Sequence, residues 1–225
     1  MKSLTHYIQE KLIIKKSNKY KYFLQTKNEL QDIILQRIKE EGNEVDLNDI
    51  DTSNITDMSE LFKRTGFNGD ISSWNVSGVT NMQRMFYECK NFNQDISGWN
   101  VSNVNNMYGV FYECNKFNKD ISTWDVSNVT IIAYMFWGCE SFNQDISSWD
   151  VSNVKDMRFM FYGCNSFDRD ISNLDVSNVK NMNGMFYKCT SFNKDLSAWD
   201  VSNVKYIENI FDKCPIEEKY KPKFK

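Results

Sequence analysis

DISTWDVSNVTIIAYMFWGCESFNQ, residues 120–144, is one copy of a unit that recurs along this chain of 225 residues. Its slots return every 25 residues, most plainly at Cys89, Cys114, Cys139, Cys164, Cys189 and Cys214. A shorter first copy begins at Asp46 and carries Thr65 in the cysteine slot. Because one unit of this size cannot bury its own apolar side, the fixed period predicts repeats that stack around a continuous core.

Residues 95–119 indicate what each unit should form. Ile96, Trp99 and Val101 follow the L-x-x-L-x-L pattern of a short strand whose alternate side chains point inward. Ser102 is a favourable helix N-cap, and the apolar residues that follow it are spaced by three and four, as on one helix face. The predicted fold class is therefore α/β, with one short strand and one short helix in every coil.

Residues 1–45 and residues 215–225 flank the repeats, which cover residues 46–214. A first amphipathic helix is predicted from Leu4, Tyr7, Ile8 and Leu12. A second helix is predicted from a capping box at Thr26 and Glu29, a stop at Gly42, and an apolar stripe of Leu30, Ile33, Ile34 and Ile38. This segment either caps the first repeat, which stacked repeats need for solubility, or docks the chain elsewhere.

Charge is unevenly distributed, although the formal net charge is only −3. Residues 1–45 carry nine basic and six acidic side chains, the repeats carry 14 basic and 22 acidic ones, and residues 215–225 form a basic tail. Acidic repeats disfavour nucleic acid along their length. The sequence has no apolar run long enough for a transmembrane helix, and a membrane partner is likewise disfavoured.

Two recurring slots have both a structural and a chemical interpretation. The cysteines are expected to be small core residues, since Thr65 replaces one and no short C-x2-C loop exists; disulfides and zinc are the alternatives. A second slot holds Trp74, Trp99, Trp124, Trp149 and Trp199. Leu174 and Ile50 replace tryptophan there, which favours core packing over carbohydrate stacking because a stacking platform would be broken.

An aspartate precedes each predicted strand, at Asp70, Asp95, Asp120, Asp145, Asp170 and Asp195. These carboxylates are expected to accept backbone N–H groups of the adjoining turn. Calcium is the alternative, but the glycines of a G-G-x-G-x-D calcium repeat are missing. The sequence therefore predicts no metal and no cofactor.

Surface positions supply the candidate partner-binding residues. The aromatic candidates follow or precede the recurrent Phe on the predicted helix, and they are Tyr112, Tyr134, Trp137, Phe159 and Tyr162. The acidic candidates are expected to face outward on the predicted strands, and they are Asp125, Asp150 and Asp175. Tyrosine and tryptophan are frequent anchors of protein interfaces, whereas packing between repeats is the plainer interpretation of the aromatic positions.

The repeat D-I-S-x-W-[ND]-V-S-N-V-x-x-M-x-x-M-F-x-x-C-x-x-F-N resembles that of the BspA-type leucine-rich-repeat proteins, including a mycoplasma domain of unknown function. The resemblance covers the whole repeat region and implies a right-handed solenoid used for surface display, adhesion or protein binding. The first 20 residues show no secretion signal. A cytoplasmic or virion-associated location is therefore expected rather than export to the cell surface.

Catalysis is not expected. The sequence has no G-x-S-x-G, P-loop or H-E-x-x-H motif, and its single histidine, His6, lies far from every cysteine. The predicted function is a non-enzymatic protein-binding or scaffold module. The alternative is a structural component of a larger particle, such as a phage virion, attached through residues 1–45. The opening residues show a short similarity to some gut bacteriophage proteins.

Overall fold

The computed structural model describes residues 20–224, where helices and strands are few. Strand β1 (Tyr22–Phe23) pairs in parallel with strand β2 (Ile50–Asp51). Helix α1 (Lys27–Glu41) lies between them in sequence, and a 3-10 turn (Glu218–Tyr220) follows the last repeat. The chain is thus a small α/β protein whose helix and short parallel sheet both lie near its N-terminal end.

Helix α1 begins and ends where the sequence predicts. The Glu29 N–H donates to the Thr26 hydroxyl at 3.3 Å, and the Glu29 carboxylate accepts the Thr26 N–H at 3.1 Å. At its end, Gly42 has a φ of 93° and donates its N–H to the Ile38 carbonyl. The stripe of Leu30, Ile33 and Ile34 is buried in the same core as the first repeat. The other predicted helix, at Leu4, Tyr7, Ile8 and Leu12, lies outside the described residues.

Successive repeats lie side by side and pair through single parallel bridges one repeat apart. The bridged residues are Asp57, Asn81, Asn106, Ile131, Asp156, Asn181 and Tyr206. Beyond each bridge the pairing continues through alternate N–H groups: Met82, Arg84, Phe86 and Glu88 donate to the carbonyls of Asn106, Tyr108, Val110 and Tyr112 at 2.7–3.0 Å. The predicted stacking of repeats around one core is confirmed.

The prediction of a helix in each repeat is wrong. Residues that would be helical instead form consecutive turns, in which the Val110 N–H donates to the Met107 carbonyl three residues back. Gly109 and Glu113 have φ values of 58° and 54°, which a right-handed helix excludes. Apolar residues spaced by three and four fit the inner corners of such turns as well as a helix face, so their spacing does not separate the two structures.

The predicted strand at residues 96–101 is wrong as well. The Trp99 N–H donates to the Ile96 carbonyl, and the Val104 N–H donates to the Val101 carbonyl, so this stretch consists of turns. The side chains of Ile96, Trp99 and Val101 are nevertheless buried, as the pattern predicted. The sequence therefore indicates which side chains point inward, while the backbone reaches that arrangement without a strand.

Stacked aromatic rings fill the core of the repeats. Phe86 packs against Phe92 within its repeat, with ring centroids 3.9 Å apart, and against Phe111 of the next repeat at 5.7 Å. Each repeat adds a similar pair of phenylalanines, and twelve of them are almost completely buried. This interior fixes the spacing and orientation of the side chains on the outer surface.

Candidate functional site

A ladder of half-buried aromatic rings runs across the outer surface of the repeats. It consists of Tyr87, Tyr112, Trp137, Tyr162 and Tyr187. Neighbouring ring centroids are 4.4, 5.5, 3.6 and 5.0 Å apart, and every neighbouring pair is stacked. Each of these residues is half-buried, so part of it stays accessible to solvent, and stacking holds the rings in register.

A second row of rings lies beside this ladder. Tyr134 is 5.2 Å from Tyr108 and 5.2 Å from Phe159, measured between ring centroids. Trp137 joins the two rows, since its centroid lies 5.6 Å from Tyr134 and 5.4 Å from Phe159. We call these eight residues the aromatic face. The structure therefore brings together the five aromatic residues that the sequence singles out: Tyr112, Tyr134, Trp137, Phe159 and Tyr162.

Two residues of the aromatic face have unfavourable backbone conformations. Tyr134 and Phe159 have φ values of 60° and 55°, in the left-handed region that bulky residues avoid. The same slot holds Gly109 and Gly184 at φ of 58°, and it holds Arg84 and Asn209 at φ of 56° and 55°. Positive φ is therefore a property of the slot, and Tyr134 and Phe159 differ from the other occupants in placing aromatic rings there.

The ring of Phe159 extends over the next repeat. A Cβ atom added to Gly184 would lie 2.2 Å from the Phe159 Cε1 atom, so a side chain at position 184 is incompatible with the ring. Gly184 thus leaves space for Phe159, and the second aromatic row stops there. The aromatic face is two rings wide in the three repeats that contain Tyr108, Tyr134 and Phe159.

Cations surround the aromatic face. The Arg84 guanidinium lies 5.5 Å from the Tyr87 ring and 5.2 Å from the Tyr108 ring. Arg158 lies 5.8 Å from the Tyr134 ring, and the Lys188 ammonium lies 5.5 Å from the Tyr162 ring. Cation–π contacts of this length hold long side chains flat against the rings. The surface is therefore aromatic at its centre and carries ion pairs at its margin, since Arg84 pairs with Glu60 and Arg158 pairs with Asp156.

Two phenols of the aromatic face, those of Tyr112 and Tyr134, have a raised pKa. Burial raises the pKa of Tyr112 well above its ordinary value, and neighbouring tyrosine and glutamate charges act in the same direction. Burial also raises the pKa of Tyr134, with Tyr108 contributing. Both hydroxyls therefore stay protonated at neutral pH and can act as hydrogen-bond donors.

The acidic candidates lie elsewhere and bind their own turns. Asp125, Asp150 and Asp175 are exposed, and each carboxylate accepts the N–H of the serine two residues later at 3.0–3.1 Å. The Ser127 hydroxyl and N–H lower the pKa of Asp125, and Ser152 does the same for Asp150. Because no strand forms here, their predicted place on a strand surface is wrong, and their carboxylates stabilise turns.

The cysteine slot is structural. In five repeats the thiol donates to a phenylalanine carbonyl of the preceding repeat at 2.8–3.0 Å, as Cys139 does to Phe111. Thr65 makes a different bond, since its hydroxyl donates to the carbonyl of Phe62, three residues back in its own repeat, at 2.7 Å. The cysteines are free, and all but Cys214 are buried. The prediction of a small core residue is confirmed, and residues 20–224 contain no disulfide and no cluster of metal-binding side chains.

The tryptophan slot is also part of the core. The Trp side chains are 3–5% exposed, and their Nε1–H groups donate to carbonyls of the preceding repeat, as Trp149 does to Ile121 at 3.1 Å. The core prediction is confirmed, so these rings are not available to stack on a sugar. The aspartate slot follows its prediction as well, since each carboxylate accepts the N–H of the serine two residues later, as Asp95 does from Ser97.

Sequence reasoning did not select Tyr87, Tyr108 and Tyr187 as site residues. Tyr87 and Tyr187 share the slot of Tyr112, so their repeat position was a usable signal. Tyr108 could not be selected in this way, because the equivalent residues of the two adjacent repeats are Gln83 and Ala133.

Comparison with known proteins identifies one family. A family model described as Mycoplasma protein of unknown function, DUF285, matches residues 30–147 and again residues 114–221. No curated protein and no solved structure matches the chain. Within residues 20–224, no helix is both long and apolar enough to cross a membrane.

Proposed function

The chain belongs to the family described as Mycoplasma protein of unknown function, DUF285, and we propose that it is a non-enzymatic repeat protein that binds a protein partner through the aromatic face. The stacked repeats serve as a solenoid scaffold, as the resemblance to BspA-type proteins implies. The aromatic face supplies the contact area.

The observation that carries this proposal is the cluster of half-buried rings at Tyr134, Trp137 and Phe159, two of which stand on residues with positive φ. A left-handed conformation costs a residue with a side chain about 1–2 kcal/mol relative to its ordinary conformation. Gly109 and Gly184 show that the same turn forms without this penalty. Neither aromatic side chain is needed to fill the core, because both are half-buried on the outer surface.

The composition of the aromatic face favours a protein partner. Tyrosine and tryptophan bury large areas with few rotatable bonds, and arginine is also frequent among the residues that dominate interface affinity. Arg84 and Arg158 flank the rings. The matching partner has an apolar patch at its centre and polar groups at its margin, where the arginines already pair with Glu60 and Asp156.

Capture of a native partner by three versions of the chain tests the proposal. The double variant Tyr134→Gly with Phe159→Gly should abolish capture. It places at both positions the glycine that two other repeats carry in the same slot. Ser148→Ala is the matched control, because the equivalent residue of another repeat is already Ala198. It should leave capture unchanged.

A third variant tests attachment through the N-terminal segment. Leu35 is 45% exposed on α1, so Leu35→Ser changes that surface while leaving the buried stripe intact. If Leu35→Ser abolishes capture and the double glycine variant does not, the chain is attached through residues 1–45, as a component of a larger particle would be.

A further inference from the structure

The dimensions of the aromatic face restrict what can cover it. The four spacings of its ladder add to about 18.5 Å. Across the face, the ring centroid of Trp137 lies 5.6 Å from that of Tyr134 and 5.4 Å from that of Phe159, so the face is two rings wide at its centre. The rings therefore form a narrow strip that runs along the stack of repeats.

A second copy of this chain does not suit a strip of this size. A stable dimer buries about 800 Å² on each partner, whereas a strip about 18.5 Å long and two rings, about 10 Å, wide offers roughly a quarter of that area. One α-helix with its side chains is also about 10 Å across, and a helix of about 12 residues is about 18 Å long. The strip therefore has the size of a single helix.

The backbone of the aromatic face has no hydrogen-bonding group to offer to a partner. The N–H groups of Tyr112, Trp137 and Tyr162 donate to carbonyls three residues back, and their carbonyls accept N–H groups of the preceding repeat. The N–H groups of Tyr134 and Phe159 donate to the next repeat, and their carbonyls accept the N–H groups of residues 137 and 162. A partner strand therefore finds no edge to extend here, and contact must be made through side chains, as a helix makes it.

The spacing of the rings favours a helix as well. Neighbouring centroids are 3.6–5.5 Å apart along the ladder and 5.2 Å apart in the second row. Side chains on one face of a strand recur about every 6.6 Å, so a strand would lose register by more than about 1 Å at each repeat. On a helix, residues three and four apart are separated by about 4.5 and 6 Å along the axis, and together they form a stripe two columns wide. Such a stripe stays in register with both rows over several repeats.

We propose that the partner contacts the aromatic face with one amphipathic α-helix of about 12 residues that lies along the stack, an inference that rests on the proposed function. The apolar residues of this helix, at positions i, i+3, i+4 and i+7, cover the rings of both rows. No particular charge is required of the helix at its margin, because both flanking arginines are already paired with carboxylates.

Photo-crosslinking of the full chain to its captured partner tests this geometry. Tyr112→benzoylphenylalanine, Trp137→benzoylphenylalanine and Tyr162→benzoylphenylalanine place the same photoreactive ring in three successive repeats. The partner residue that each version labels is identified by mass spectrometry. From one repeat to the next, the labelled residue should move by three or four positions in one direction, because one ring spacing corresponds to about three residues of helical rise.

A second set of probes and one control accompany the measurement. Tyr108, Tyr134 and Phe159 lie in the same three repeats, so benzoylphenylalanine at these positions should give the same steps along the partner independently of the first set. Ser148→benzoylphenylalanine carries the probe at an exposed position outside the aromatic face and should label no partner residue. Urea unfolding shows which versions keep the stability of the natural chain, and the steps are read from those.

The outcomes separate this inference from the proposed function. Steps of one or two residues, as along a strand, or labels scattered over unconnected segments of the partner would overturn the helix and leave the aromatic face as the binding surface. Labels confined to a second copy of this chain, or to its own residues 1–19, would also overturn the inference. If neither set labels any other protein, the proposed function fails together with it.

Discussion

The rings of Tyr134 and Phe159 lie 5.2 Å apart between their centroids, on two residues that both have positive φ. Each ring is therefore carried by a residue whose backbone conformation is unfavourable for any residue with a side chain. Contacts between aromatic rings contribute about 0.5–1.5 kcal/mol, which is close to the energy that a left-handed residue loses. The pair gives the fold little net stability, which is why we assign it to binding.

The first prediction follows from this balance. Replacing both residues, Tyr134→Gly and Phe159→Gly, should change the free energy of unfolding by less than about 2 kcal/mol, because relief of strain offsets the lost ring contacts. Urea unfolding followed by far-UV circular dichroism measures the change. A loss of more than about 4 kcal/mol, as for removal of a core ring, would assign the two side chains to the fold instead.

The second prediction concerns the space beneath Phe159. Gly184→Ala should destabilise the chain by about 2 kcal/mol or more, since alanine at a φ of 58° is strained and its Cβ meets the ring. In a chain that already carries Phe159→Ala, the same change should be milder, because only the backbone strain remains. A double-mutant cycle measures the difference. Equal effects in the two backgrounds would show that the ring does not occupy this space.

The third prediction is a loss of stability at high pH. Burial raises the pKa of Cys89 to about 12, and it also raises the pKa of Cys139. A thiol in the unfolded chain titrates near pH 8.5. Above that pH the unfolded state has lost protons that the folded state keeps, so stability falls as pH rises.

Cys139→Ala isolates this effect. Between pH 9 and 11, unfolding free energy should fall more steeply in the natural chain than in the variant, by about 1.4 kcal/mol per pH unit. Other tyrosines and lysines titrate in both proteins and cancel in the comparison. Identical slopes would mean that the Cys139 thiol is not held in its neutral form by the fold.

The fourth prediction restores a tryptophan to the one internal repeat that lacks it. Leu174 is 6% exposed in the slot where Trp149 donates its Nε1–H to the Ile121 carbonyl. Leu174→Trp should raise the free energy of unfolding by about 1 kcal/mol, because the indole regains a bond to the Ile146 carbonyl and more ring contact. Trp149→Leu is the reverse control and should destabilise. A lower stability of Leu174→Trp would indicate that the core is packed too tightly around Leu174 to accommodate tryptophan.

The period of the sequence predicted the stacking and the core, and a capping box with an apolar stripe predicted the second N-terminal helix. Phe86, Cys89 and Trp99 could be assigned to the interior because their slots recur, with tryptophan replaced only by aliphatic residues and cysteine only by Thr65. The capping box at Thr26 could be predicted because its two residues are close together in the sequence. Hydrogen bonds from Asp95 and its equivalents were predicted for the same reason, since they close within two residues.

The backbone of the repeat could not be predicted from those patterns. A spacing of three and four residues suits both a helix and a series of turns, and the difference lies in where Met107 and Phe111 send their N–H groups, which is to the next repeat. The left-handed slot is filled by Arg84, Tyr134 and Phe159 as well as by glycine, so residue type did not reveal it. The sequence therefore identified five residues of the aromatic face, but it did not predict how their rings are arranged.

The most direct measurement of the central claim is the affinity of a captured partner for the natural chain, for the double glycine variant at Tyr134 and Phe159, and for Ser148→Ala, each shown to be folded by its unfolding curve. The account predicts that the double variant binds at least about 100-fold more weakly, as expected for loss of two interface anchors, while Ser148→Ala binds as the natural chain does. Equal affinity of the double variant and the natural chain would contradict it.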